Sequence, residues 1–314
     1  MQQADPVSSE LTVVIPSYKA VGTIERAVMS VLGQPGVQAR VIVVIDDKSA
    51  ETEDLLKAIG DPRISVFMND RNRGAPYSRN FGLARTTTPY VMFLDSDDYL
   101  SGEVLASLVE ALRGSDADVA FAPWIKLNED TNACDRRLPE FRSPRHAFES
   151  WLIEQKSIPP CSVLWRSDFI RGIDGWDEDL KRVQDGELVL RALLRGARIA
   201  TCRRGAGVYF QHAAEYRITA GSDYTPLLVV ADKLLQVESS LFDEQEKRNL
   251  LARYLYRNAK KAFRLGDLPF GRAALERSRD LGLKGNDGSL LARAGATAFG
   301  VERYHRLMAS FSKQ

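Results

Sequence analysis

Over the first two hundred residues, short β-branched runs alternate with amphipathic segments, the pattern of a mostly parallel sheet covered by helices on both faces. Residues 11–15 predict a buried first strand. Ile24, Ala27, Val28, Val31 and Leu32 then recur at helical spacing over 23–32, and 40–45 predict a second strand. Ser49 is placed to cap a helix with an acidic first turn (Glu51, Glu53, Asp54) and an apolar face of Leu55, Leu56 and Ile59. Further strands are predicted over 63–67, 90–94, 119–122 and 197–202, with helices over 75–85, 103–113 and 185–195 between them. Polar and proline content rises from Asn128 to Pro160, which predicts an irregular excursion around one short helix near 146–153. After Tyr224 the strand pattern stops, and 226–241, 243–265, 270–281 and 290–311 predict helices. The expected organisation is a polar tail over 1–10, an α/β domain over 11–220 and a helical region over 221–314.

The balance of 43 Lys and Arg against 42 Asp and Glu leaves a formal charge of +1, which supplies no global field for nucleic acid. That balance conceals an asymmetry. From Arg248 onward there are 14 basic and 5 acidic residues, a net +9, so the first 247 residues carry −8. Within the basic region Arg253, Arg257, Lys260, Lys261 and Arg264 alternate with Leu250, Leu251, Tyr254, Leu255 and Phe263, a pattern that fits a helix resting on anionic lipid or one packed on the domain with a solvated basic face. No apolar run approaches the roughly 20 residues a membrane-crossing helix needs. Residues 1–10 lack the basic and apolar stretches of a signal peptide, so the expected location is the cytoplasm, with peripheral contact at the cytoplasmic membrane face through the basic helices. Cys134, Cys161 and Cys202 are odd in number and widely spaced, which fits ordinary thiols.

In an open parallel sheet, ligands sit beyond the carboxyl ends of strands, so the polar residues that follow each apolar run carry the candidate chemistry. These are Pro16-Ser17-Tyr18, then Asp46-Asp47-Lys48-Ser49, then Asp95-Ser96-Asp97-Asp98. Asp95 and Asp97, one residue apart at a strand end, offer hard oxygen ligands to Mg²⁺ or Mn²⁺, with a diphosphate to complete the coordination. The competing use is a turn that caps the next helix. So many acids at one edge repel unless a cation or a donor-rich ligand is present, which favours the first use. The sequence has no Gly-x4-Gly-Lys-Ser/Thr, no His-Glu-x2-His and no Gly-x-Ser-x-Gly, and Gly205-Ala206-Gly207 lacks the third glycine of a dinucleotide fingerprint.

LTVVIPSY (11–18), VVIDDKS (43–49), NRGAPYSRNFGL (72–83), VMFLDSDDY (91–99) and GWDEDLKRVQDGELVLRALLRG (175–196) resemble, in order and spacing, the family 2 glycosyltransferases, inverting enzymes of the GT-A fold. The resemblance covers about residues 10–220. It implies an α/β, Rossmann-like domain with a C-terminal helical appendage, and a metal-dependent transferase of polysaccharide biosynthesis. Its partners would be a nucleotide diphosphate sugar, UDP-sugar foremost, and a saccharide or lipid-linked acceptor. By position, it assigns Pro16, Ser17 and Tyr18 to the nucleotide pocket, Asp47 to the uracil edge, Arg79 to the donor diphosphate, and Asp95 to the ribose, with Ser96 beside it. Asp97 and His212 are assigned to a divalent metal, Mn²⁺ or Mg²⁺, and Asp185 to the catalytic base; Asp46 is left as structural. Where the family often has Glu-Asp, this chain has Gln184-Asp185. As a helix N-cap, Asp185 would have its pKa held low by the helix dipole. Trp176 is expected on the acceptor side or in the core. The alternative is a catalytically silent nucleotide-sugar-binding or scaffold protein of a glycan-assembly complex, against which Asp97 and Asp185 argue.

Overall fold

The computed structural model describes residues 9–131, 133–154, 156–211, 224–286 and 290–311. They fall into two compact units, one drawn from 1–144, 157–188 and 197–220, the other from 145–156, 189–196 and 221–314.

The first unit opens with β1 (Leu11–Ser17), α1 (Ile24–Leu32), β2 (Ala39–Ile45), α2 (Ala50–Ile59), β3 (Ile64–Met68), α3 (Ala75–Arg85) and β4 (Tyr90–Phe93). Then come β5 (Tyr99–Ser101), α4 (Val104–Arg113), β6 (Val119–Phe121), β7 (Trp124–Asn128) and β8 (Cys134–Arg137). Past α5 (Pro144–Leu152), which from Arg145 on belongs to the second unit, follow β9 (Val163–Arg166), α6 (Ser167–Gly172), α7 (Gln184–Leu194), whose residues from Val189 on also belong to the second unit, β10 (Ile199–Thr201) and β11 (Ala206–Gln211). Seven strands form the main sheet in the order β10-β6-β9-β4-β1-β2-β3. All pairs are parallel except those of β9, which runs antiparallel between β4 and β6. Every residue of β1 is buried and only Arg40 of β2 is exposed, as befits apolar runs covered on both faces. The Ser49 hydroxyl accepts from Thr52 N at 3.1 Å and caps α2, which Gly60 ends at φ 69°. On α3, Gly82 faces Val14 so closely that any Cβ would overlap the valine methyls, and this lets the helix lie directly on β1.

Because β1 lies between β2 and β4, the strand order reverses beside it, and in open sheets of this kind ligands bind beyond the carboxyl ends of the strands at such a point. A second sheet, β5-β11-β7-β8, was not expected from the hydrophobic pattern. Within the supposedly irregular excursion, β8 reads Cys-Asp-Arg-Arg and is fully exposed, so it carries no apolar signature and exists through backbone pairing with β7. Gly207, considered above for a dinucleotide turn, is instead a β11 residue pressed against the Cys161 carbonyl.

The second unit contains α8 (Thr225–Gln236), α9 (Glu244–Leu265), α10 (Leu268–Asp280), α11 (Leu290–Phe299) and α12 (Val301–Phe311). Its core joins Tyr256, Ala259, Phe263, Phe270, Ala274, Ala296 and Val301. Asp243 and Glu246 form a capping box at the start of α9. The helix α8 stops at Gln236, five residues before the expected end, because Val237 turns to extended backbone and its carbonyl accepts from the buried Lys247 ammonium at 2.6 Å. Gly300, at φ 78°, divides the expected single last helix into α11 and α12. Leu250, Leu251, Tyr254, Leu255 and Phe263 of α9 are buried, while Arg253, Arg257, Lys261 and Arg264 are exposed along it. Among the described residues no helix is long and apolar enough to cross a membrane.

Candidate active site at the carboxyl edge of the sheet

At the end of β1, Ser17 is buried, with its backbone carbonyl accepting from Asp46 N at 2.8 Å, and Tyr18 is 45% exposed. Lys19 adopts φ 53°, which points its backbone N–H at Asp47 Oδ2, 2.5 Å away. Asp47 Oδ1 accepts from Ser49 N at 3.3 Å, so both carboxylate oxygens are held by backbone N–H groups at the strand end. Pro16, Ser17, Tyr18 and Asp47 thus share one patch on neighbouring strand ends. Asp46 is structural: it is buried, and its carboxylate accepts from Asn69 Nδ2 at 2.7 Å and from the backbone of Arg73 and Gly74 at 2.8 and 2.7 Å. Those bonds set the loop whose glycine, at φ 89°, starts α3.

The second patch lies beyond β4. Arg79 of α3 is 5% exposed, so it is not a surface helix arginine. Its Nη2 donates to Asp95 Oδ1 at 2.5 Å, its Nη1 donates to Gln184 Oε1 at 2.7 Å, and its guanidinium lies 4.2 Å from the centre of the Trp176 ring. Trp176 is buried against Phe93, with ring centres 5.1 Å apart, which places it in the core rather than on an open acceptor face. Asn80, the neighbour of Arg79, accepts from Trp176 N at 2.9 Å and donates to Trp176 O and Glu178 Oε1, each at 2.8 Å. One helix therefore secures both the strand-end acid and the loop leading to α7.

Asp185 is the second residue of α7 and half-buried, not the N-cap residue considered above. Burial raises its carboxyl above the ordinary range; Arg79 pulls it down and Asp95 pushes it up, while the backbone N–H groups of Asp185 and Gly186 also favour the charged form. Burial prevails over the helix terminus, and a raised pKa strengthens the carboxylate as a base.

Ser96 and Asp97 are part-exposed in the turn that Asp98 N closes on Asp95 O at 3.0 Å. The Asp97 carbonyl accepts from Arg26 Nη2 at 2.7 Å, and that guanidinium is sandwiched 4.7 Å from the ring centres of both Tyr99 and Phe210. Asp98 is buried and accepts from Phe210 N at 2.9 Å; burial, with the charges of Asp95 and Asp97, pushes its carboxyl well up. Arg26 carried no signal in the sequence and Asp98 only its place in the acidic run, since their partners lie on distant elements.

The donors at this edge suit a divalent cation that takes its remaining oxygens from a bound ligand. The donors are hard carboxylate oxygens in mutual repulsion, and among the described residues no three acidic, His or Cys side chains converge into a complete cage. That set suits Mg²⁺ or Mn²⁺ with a diphosphate supplying further oxygens. His212 lies outside the described residues.

The sequence profile of the family described as glycosyl transferase family 2 matches residues 12–172. The succinoglycan biosynthesis protein ExoO of Rhizobium meliloti (strain 1021) is 28% identical over 238 residues, 71% of this chain and 67% of that protein. Two further curated relatives, from Mycobacterium tuberculosis, are spanned over 65% and 41% of their length. Among solved structures, S. aureus TarS 1-349 in complex with UDP-GlcNAc superposes with a TM-score of 0.70 at 18% identity, covering 97% of this chain and 92% of that one. The mannosyltransferase PcManGT from Pyrobaculum calidifontis, in complex with GDP-Man and Mn²⁺, gives 0.55 at 16% identity, covering 98% and 88%. The fold is GT-A, and the chain belongs to glycosyl transferase family 2.

Proposed function

We propose that the chain transfers a sugar from a nucleotide diphosphate donor, a UDP-sugar, to a hydroxyl of a saccharide or lipid-linked acceptor, with inversion, in the synthesis of a polysaccharide or cell-surface glycan. The observation that carries this reading is the convergence of Asp95, Arg79, Gln184 and Asp185 at the carboxyl edge of β4, which sets a strand-end acid beside a carboxyl of raised pKa. The names of the relatives support the donor and the setting: TarS structures hold UDP and UDP-GlcNAc, and ExoO is named for succinoglycan biosynthesis.

In this reading Tyr18 and Asp47 meet the base, with Pro16 and Ser17 forming the floor, and Asp95 and Ser96 face the ribose. Arg79 lends its charge from beneath Asp95. Asp185 takes the acceptor proton as the acceptor oxygen attacks C1; a new C1–O bond forms, the bond from C1 to the diphosphate oxygen breaks, and the nucleoside diphosphate leaves. Asp97, with His212, would hold a divalent cation, Mn²⁺ or Mg²⁺, whose charge balances the diphosphate when bound. Orientation of both substrates at one edge supplies much of the remaining acceleration.

The test is a donor screen with Mn²⁺ and common UDP-, GDP- and dTDP-sugars, reading released nucleoside diphosphate. One donor should give release that chelator and Asp97→Ala both abolish. Silence across the screen, with no thermal stabilisation by UDP and Mn²⁺, contradicts the reading.

The exposed basic stripe of α9 supports peripheral contact with anionic lipid at the cytoplasmic membrane face, through charge rather than insertion, since the apolar side of α9 is buried.

A further inference from the structure

We propose that Gln184 is a positioning residue whose neutral amide holds Arg79 as a cation shared between Asp95 and Asp185. The geometry specifies an amide. Gln184 Nε2 donates to Lys181 O at 3.4 Å, which turns Oε1 toward Arg79 Nη1, 2.7 Å away. A glutamate here would set a carboxylate oxygen against the Lys181 carbonyl and would claim part of the Arg79 charge. A methionine of similar length would offer no comparable acceptor, and the guanidinium would relax toward Asp95.

The charge of Arg79 matters because its surroundings confine it. The side chain is 6% exposed, stacked on Trp176, and held by Asp95 on its other arm. From the elements packed around it, Asp185 feels Arg79 of α3, which favours its carboxylate, and Asp95 at the end of β4, which opposes it. Lys181 and Arg182 precede it on the same loop, and Glu187 follows on its own helix. Gln184 therefore secures a cation that offsets burial at the base, and adds no further negative charge.

The kinetic arm of the test rests on the transferase reading; the spectroscopic arm does not. Gln184→Met and Gln184→Glu are compared with the native chain for donor KM, kcat, the pH profile of kcat, and UDP affinity. The carboxyl titration of Asp185 is followed by ¹³C NMR, assigned by its loss in Asp185→Asn. Gln184→Met should lower kcat about tenfold with donor KM and UDP affinity within about twofold, the pattern of lost transition-state alignment. Gln184→Glu should keep more of kcat at high pH, but move its acid limb upward by roughly half a unit or more as a second carboxylate joins the site. In both variants the NMR titration of Asp185 should move up. Unchanged kcat with an unmoved titration overturns the proposal, as does a rise in KM alone, which would make Gln184 a donor-binding residue. If the native chain turns over no donor, the transferase reading fails while the titration still decides the role of Gln184.

Discussion

In the proposed reaction, the charge state of Asp185 decides whether the site works as a base at neutral pH. Burial raises its pKa and Arg79 lowers it, with burial the larger effect. A base must be ionised to accept a proton, so activity is full above the Asp185 pKa and falls as pH drops through it. The acid limb of kcat should therefore lie above the ordinary aspartate value of about 4. Arg79→Gln should move that limb further up, because the cation that favours the carboxylate is gone. A pH–rate profile of both proteins measures this, and a limb that stays put in the variant would detach Arg79 from the base. At this scale much of the candidate site was legible in the sequence, since Asp47, Asp95 and Asp97 follow recognisable strands and Asp185 lies in a motif that resembles the family's. The roles of Asn80 and Arg26 were not, because each acts through a partner 71 to 96 positions away in the chain.

Among the elements, α3 carries most of the site's architecture. Its Arg79-Asn80-x-Gly82 run sends one residue to Asp95, the next to Trp176, and the last against β1. Gly82→Ala should destabilise the first unit by about 1–3 kcal/mol, because the added methyl overlaps Val14 in a packed core. Thermal melting reads this, and an unchanged midpoint would mean that α3 can slide off β1 at no cost. The parallel strands were legible because burial on both faces leaves unbroken apolar runs such as 41–45. The second sheet was not: β5 has three residues, β8 is wholly exposed, and neither has a period that a hydrophobic pattern can report. The break at Gly300 escaped for a related reason, since apolar spacing continues through it while the backbone does not.

Over the whole molecule, the acidic first 247 residues and the basic remainder differ in chemistry as well as charge. The exposed Arg253, Arg257, Lys261 and Arg264 should bind vesicles rich in anionic lipid at low ionic strength and release them as salt rises. Co-sedimentation measures this, and equal binding to neutral vesicles would refute an electrostatic contact. In the second unit, His305 is buried and its pKa is lowered to about 4, by burial first and then by the charges of Arg264 and Lys260. The folded chain keeps it neutral, whereas the unfolded chain takes up a proton below about pH 6.5. Its contribution to stability is thus present above that pH and is lost as pH falls toward 4. The melting temperature should drop over this window and drop less in His305→Gln; parallel pH curves would remove the histidine from the account.

The most direct test of the central claim pairs two readings on Asp185→Asn: UDP affinity by calorimetry, and sugar transfer from the donor that the native chain accepts. The variant should bind UDP within about twofold of the native affinity and lose transfer by about a thousandfold or more, the mark of a group that acts only in the transition state. Undiminished transfer by Asp185→Asn would contradict the assignment of the base, and with it the reaction proposed for this edge of the sheet.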